Sequence, residues 1–203
     1  MARTRRGGLA CDPVSMRRIL LLPPLLAVAG AQTGVIAVAI ETDLGNIEVE
    51  VDTVHAPVTA ANFLRYVDAG LYNSGTFHRT VKPDNQPDNQ VKIEVIQAGR
   101  ASGTTGFAAI PLERTSVTGL SHRDGTVSMA RDGPDTATSD FFVCIGDQPA
   151  LNFGGKRNPD GQGFAAFGRV VRGMDIVRRI QAAPSDGKQH LTPPVRIRRI
   201  TRK

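Results

Sequence analysis

Arg79 stands in Thr76–Val81, a run of mostly apolar and small residues suited to a strand. A guanidinium on such an element is costly to place unless something uses its charge. Ile96-Gln97-Ala98-Gly99 offers a polar amide, and Ser139-Asp140-Phe141-Phe142 offers a pair of large rings. One fixed cation, one amide and an apolar floor suit the binding and polarising of a neutral amide group. The set does not suit metal, phosphate or covalent chemistry.

Other chemistries find little footing. No phosphate loop, CxxC pair, HExxH helix or GxSxG elbow occurs. The histidines (His55, His78, His122, His190) are scattered, and none lies three or four residues from another histidine or a cysteine, so no zinc site is expected. Ser121 and His122 are adjacent, and neighbours on an extended chain point apart, which argues against a nucleophile–base pair. Residues 83–90 repeat Pro-Asp-Asn-Gln twice, but the glycine and terminal glutamate of a calcium loop are missing, so a solvated loop is expected.

The elements that must position these residues are short. Val35–Thr42 and Gly45–Val51 flank Asp43-Leu44 as a hairpin, with Ile47, Val49 and Val51 alternating against Glu48 and Glu50. Pro57 opens a helix that Gly70 stops, with Ala60, Ala61, Leu64 and Val67 on one face. Further strands are expected at Thr76–Val81, Val91–Gln97, Gly125–Ala130, Phe141–Ile145, Ala165–Val171 and Val195–Thr201, with 101–123 loop-rich. A second helix fits Met174–Gln181, with Ile176, Val177 and Ile180 as its buried stripe. Eight short strands and two helices predict a mainly β fold and favour a closed eight-stranded antiparallel barrel capped by the helices over a sandwich.

With 203 residues the chain is long enough for one domain with a sizeable core. Of the formal charge of +6, a net +4 lies in residues 1–31, which leaves +2 for 32–203. That balance is no nucleic-acid footprint. The basic tail Arg196–Lys203 reads as a solvated strand end, with a membrane-surface or nucleic-acid contact as the weaker reading. Arg17-Arg18, the apolar run from Ile19 to Ala29 and the small residues Ala29-Gly30-Ala31 read as a signal peptide cleaved after Ala31, too short to span a bilayer. Met16 is a second possible start. The expected product is periplasmic or secreted, meets the membrane only transiently during export, and is a monomer. Cys144 is then the one cysteine left, so no internal disulfide can form.

Phe77-His78-Arg79, Ile96–Gly99, Gly125–Ala130, Gly133-Pro134, Ser139–Phe142 and Phe167-Gly168 resemble, in order and spacing, the cyclophilins, the peptidyl-prolyl cis-trans isomerases, in their bacterial secreted branch. The likeness covers roughly residues 35–203, and the family's fold is an eight-stranded barrel capped by two helices. It implies that Arg79 is the catalytic arginine and Gln97 a substrate-contacting glutamine. Val95, Phe142, Leu151 and Phe164 fall on the proline pocket, and Ala130 and Arg131 on the strand edge that holds the substrate backbone. Phe77, Phe141 and Phe167 are expected in the core. His78 should alternate away from Arg79, into a core or supporting role. No cofactor is implied.

The chain departs from the family pattern at Glu94-Val95, where a Phe-Met pair is usual, and at Asp140 and Arg131. It also departs at Phe164, and at Ala150, where many members carry the tryptophan that strengthens cyclosporin binding. The Arg79-to-Gln97 connection is about ten residues longer than is typical of the family it resembles. The implied activity is isomerisation of X–Pro bonds in proline-containing polypeptides, without a covalent step. The alternative is a proline-peptide binding module with little turnover, motivated by Glu94-Val95 and the long 82–95 connection.

Overall fold

The computed structural model describes residues 1–2 and 34–203. The expected targeting segment, with Met16 and Ala31, lies outside the described residues apart from its first two. Strands β1 (Val35–Thr42) and β2 (Gly45–Asp52) form the expected hairpin, with Val38, Ile40, Ile47, Val49 and Val51 turned inward. Thr42 Oγ1 donates to the Gly45 carbonyl at 2.7 Å and accepts from Leu44 N–H at 3.1 Å, which closes the turn. Gly45 sits at φ +135°, and a Cβ there would lie 2.6 Å from Ile176 Cδ1, so only glycine fits.

Helix α1 (Pro57–Asp68) opens with proline in its first turn and buries Ala60, Phe63, Leu64, Tyr66 and Val67. Its free N-terminal amides are met from a distant loop: the Glu113 carboxylate accepts from Val58 N–H, Thr59 N–H and Thr59 Oγ1. Strands β3 (Thr76–Val81), β4 (Val95–Gly99), β5 (Thr126–Met129), β6 (Phe141–Cys144), β7 (Ala165–Arg172) and β8 (His190–Arg202) complete the sheet. The pairing order β1-β2-β7-β5-β6-β4-β3-β8 closes on itself, every pair antiparallel, as expected. Closure removes the exposed sheet edges that would otherwise pair with other chains. Helix α3 (Met174–Gln181) occupies the expected span and buries Ile176, Val177 and Ile180.

The interior is aromatic on one side, where Phe63 meets Phe141 edge-on at 5.4 Å and Phe167 at 5.1 Å. Phe77 joins them, fully buried. A second, smaller apolar cluster lies apart from this core: Val81, Ile93, Val95, Phe142, Cys144 and Leu151, with Ala130, Ala150 and Phe164 against it. Alternation along two paired strands produces both clusters. Ile96, Ala98, Phe141 and Val143 point in, while Val95, Gln97, Phe142 and Cys144 point out.

Four expectations need correction. The strand expected over 91–97 begins only at Val95. Before it, the buried Gln86 side chain donates to Ile93 O at 2.8 Å and accepts from Ile93 N–H at 3.3 Å, so an amide replaces a strand partner. The first Pro-Asp-Asn-Gln copy is therefore anchored rather than merely solvated, whereas Gln90 of the second copy is exposed. The loop-rich 101–123 contains a one-turn helix, α2 (Thr115–Thr118), and β8 starts five residues earlier than Val195.

The basic β8 end is matched by acids: Arg198 pairs with Asp43, Arg199 with Glu41, Arg202 with Asp68 and Lys203 with Glu48. Such exposed pairs add little stability, but they balance the local charge.

Candidate active site

The outward cluster floors a groove of about 330 Å³ that also holds Arg79, Gln97, Asp140 and Arg157. Its position depends on a β-bulge. Strict alternation would send Phe77 and Arg79 to the same face of β3. The register slips between these two residues in both flanking ladders, against β4 and against β8. Phe77 stays in the core while Arg79 turns out beside Gln97. A bulge next to a site commonly re-aims a side chain in this way. His78 is not in the core: its Nε2 lies 3.6 Å from Asp140 Oδ2 and its ring is partly exposed, which leaves it the supporting one of the two expected roles.

The Arg79 guanidinium is held entirely by amide oxygens. Nη1 donates to Gln97 Oε1 at 3.0 Å, and Nε and Nη2 donate to Gln189 Oε1 at 3.0 and 2.7 Å. Gln97 Nε2 is in turn 3.3 Å from Asp140 Oδ2. Three of five N–H donors are engaged, which leaves one on each terminal nitrogen. Partial burial lowers the Arg79 pKa from its usual value, yet an arginine remains charged throughout the working range. Neutral acceptors orient the cation without cancelling it.

The apolar walls form as the resemblance implies. Phe142 and Phe164 meet edge-on at 5.3 Å, and Leu151, on a short 3-10 turn over Pro149–Leu151, is buried beside them. Phe164 N–H donates to Leu151 O at 3.0 Å, which ties two walls together. Behind Phe142 lies His122, its ring stacked at 6.0 Å and 14°. Its Nδ1 meets Asn152 Oδ1 at 2.8 Å and its Nε2 meets Ser128 Oγ at 3.0 Å. Burial pushes its pKa down to about 4, so it is a neutral packing element. Burial pushes the Cys144 thiol well up, which leaves it inert.

Glu94 does not enter the groove. Its carboxylate accepts from Gln181 Nε2 of α3 at 2.8 Å, and Ile93 and Val95 form the wall on either side of it. Arg131 lines the groove, but its side chain is only 1% exposed and is bound elsewhere. It donates to Gly163 O and, bidentately, to Asp160 at 2.7 and 3.0 Å, and its guanidinium carbon lies 5.1 Å from the Phe164 ring centre. Its side chain therefore braces Phe164 instead of reaching toward a ligand. Ala130 lines the same edge, and its N–H donates to Asp140 O at 2.8 Å.

Sequence reasoning missed Ile93, Arg157 and Gln189. Gln189 is 110 residues from Arg79, and no local pattern marks it. Arg157 lies in a turn-rich stretch with no local pattern to mark it, and Asp160, three residues on, pairs with Arg131 instead. Among the described residues, no group of three or more His, Cys, Asp or Glu side chains is placed to hold a metal ion.

Residues 37–202 match the family model described as cyclophilin type peptidyl-prolyl cis-trans isomerase/CLD. A peptidyl-prolyl cis-trans isomerase of Acinetobacter baylyi is 35% identical over 149 residues, 73% of either chain. Peptidyl-prolyl cis-trans isomerase A of Dickeya dadantii is 34% identical over 152 residues, again 73% of either chain. A crystal structure of a Cryptosporidium parvum cyclophilin type peptidyl-prolyl cis-trans isomerase superposes with TM-score 0.67 at 24% identity, over 83% of this chain and 98% of that one. A second, determined in the presence of the dipeptide Ala-Pro, has TM-score 0.66 at 24% identity, over 82% and 98%. Sequence family, curated relatives and closed barrel agree, and the chain belongs to the cyclophilin-type peptidyl-prolyl cis-trans isomerases.

Proposed function

We propose that this isomerase acts on exported or unfolded polypeptides by seating a proline ring against Phe142, Leu151, Phe164 and Val95 while Arg79 stabilises the twisted amide. Rotation about an X–Pro bond is slow because amide resonance must be lost, a barrier of roughly 20 kcal/mol. The catalyst needs only to bind the twisted form better than either planar one. Twisting makes the prolyl nitrogen pyramidal and gives it a lone pair. A guanidinium N–H aimed at that lone pair gains a hydrogen bond that the planar amide cannot offer. Gln97 would orient the arginine and meet the moving carbonyl, directly or through water.

The observation that carries this reading is the Arg79 cation, held by two amide oxygens and no carboxylate, at the rim of an apolar pocket. Ala-Pro in the presence of a structural neighbour supports proline as the occupant of such a groove. Arg17-Arg18 and the apolar run after them support export, with cleavage after Ala31 and action in the periplasm or outside the cell. N-terminal sequencing of the mature protein tests that step.

Replacing Arg79 by Ala is expected to lower kcat/KM on a proline tetrapeptide by about tenfold or more, on the order of 1.4 kcal/mol, with the urea midpoint unchanged. An unaltered rate would overturn the arginine mechanism. Peptide binding without turnover by the intact chain would favour a binding module instead.

A further inference from the structure

The groove is charged unevenly along its length, following β4. At the end before Val95, Arg157 Nη1 donates to Val91 O and to Gln86 Oε1, both at 2.8 Å, and its backbone N–H donates to Ala150 O. The acceptors that hold it are neutral, and among the described residues it forms no ion pair. Arg79 lies close enough that, after burial, its charge is the second cause lowering the Arg157 pKa. Both cations line the groove and both are held by neutral acceptors, Arg157 before Val95 and Arg79 at Gln97 in the middle of β4, with Asp140 beyond Gln97. Asp132 and Asp140 line the groove as well, but Asp140 packs against Gly99 at the far end of β4, where a Cβ on Gly99 would meet its Oδ1 at 2.5 Å. Arg131, the remaining groove cation, is matched by Asp160.

Resting on the isomerase reading above, we infer that Arg157 is a specificity-determining residue that selects polypeptides carrying a carboxylate on one side of the proline. Like charges brought together out of water raise each other's energy, and an incoming carboxylate relieves both. The relief is confined to the Arg157 end, because toward Gly99 a carboxylate meets Asp140. The 82–95 connection is what makes the device: Gln86, from the first Pro-Asp-Asn-Gln copy, and Val91 supply the acceptors that hold Arg157 in the groove.

Four proline peptides test this, with Glu or its neutral isostere Gln either directly before or directly after the proline, and exchange rates measured by NMR on the intact protein. The Glu peptide should exceed its Gln counterpart in kcat/KM by about threefold or more at one of the two positions only, and the advantage should shrink as salt is added. Arg157→Gln should bring the ratio to one, and Arg157→Lys should retain part of it. An advantage at neither position, at both, or undiminished in Arg157→Gln would overturn the inference. If the intact protein accelerated none of the four peptides, the isomerase reading itself would fall, and a lost ratio with retained turnover separates the two failures.

Discussion

Gln189 Oε1 accepts from both Nε and Nη2 of Arg79, at 3.0 and 2.7 Å, and Gln189 Nε2 donates to Asn85 O at 2.9 Å. The groove cation is thus clamped from the side opposite Gln97 by a residue that is itself tied to the first Pro-Asp-Asn-Gln copy. An amide clamp fixes direction and leaves the charge intact.

Replacing Gln189 by Glu keeps the shape of the clamp and puts a full negative charge on it. The guanidinium then has less to give a developing lone pair, and kcat/KM should fall by about five- to tenfold, on the order of 1 kcal/mol. The loss should lie in kcat, since the apolar walls that hold the proline are untouched. Steady-state kinetics on one proline tetrapeptide decide it; full activity in Gln189→Glu would show that the bare charge on Arg79 is not needed.

The duplicated segment should respond asymmetrically. Gln86 is 1% exposed and bonds Lys82 O and both backbone groups of Ile93, so Gln86→Leu strands buried polar groups. Urea unfolding should show a loss of about 2–4 kcal/mol. Gln90→Leu, at the exposed equivalent in the second copy, should stay within about 0.5 kcal/mol. Equal losses at the two positions would contradict the anchoring role.

His122 sets a pH dependence of stability. Its folded pKa is about 4 against an ordinary value of 6.5, because burial disfavours the charged ring. Above pH 6.5 both folded and unfolded rings are neutral and nothing is lost. As pH falls from 6.5 toward 4, the unfolded chain takes up the proton first, and stability declines. Below about 4 the folded ring titrates too, and the loss levels off at about 3 kcal/mol, from 1.36 kcal/mol per unit. Urea midpoints between pH 7 and pH 4 should fall less steeply in His122→Gln than in the parent protein. Parallel slopes would place the titration elsewhere.

Much of the site was legible along the chain, because the side-chain period of a strand is two. Phe141 and Phe142 had to face opposite ways, and so did Ile96 and Gln97, which separated the core rings from the groove residues before any contact was known. The amphipathic period of Met174–Gln181 and the proline before Val58 located both longer helices in the same way. Local sequence carries local periodicity, and the count of eight short strands favoured a closed barrel over a sandwich, but closure itself was decided by the strand pairing.

What periodicity could not carry was decided in three dimensions. Alternation alone would have turned Arg79 into the core behind Phe77; the slip in register against both neighbouring strands turns it outward and brings His78 toward Asp140. A bulge depends on what two other strands demand, and neither strand is adjacent in sequence. The same holds for Gln189 on Arg79 and for Gln86 on Arg157, partners 110 and 71 residues apart that meet only once the barrel is closed. The sequence, through its residue types and the family resemblance they carry, pointed to an arginine, an amide and an apolar floor in one groove. Tertiary packing decided which neutral groups hold that arginine, and so why its charge remains free to act.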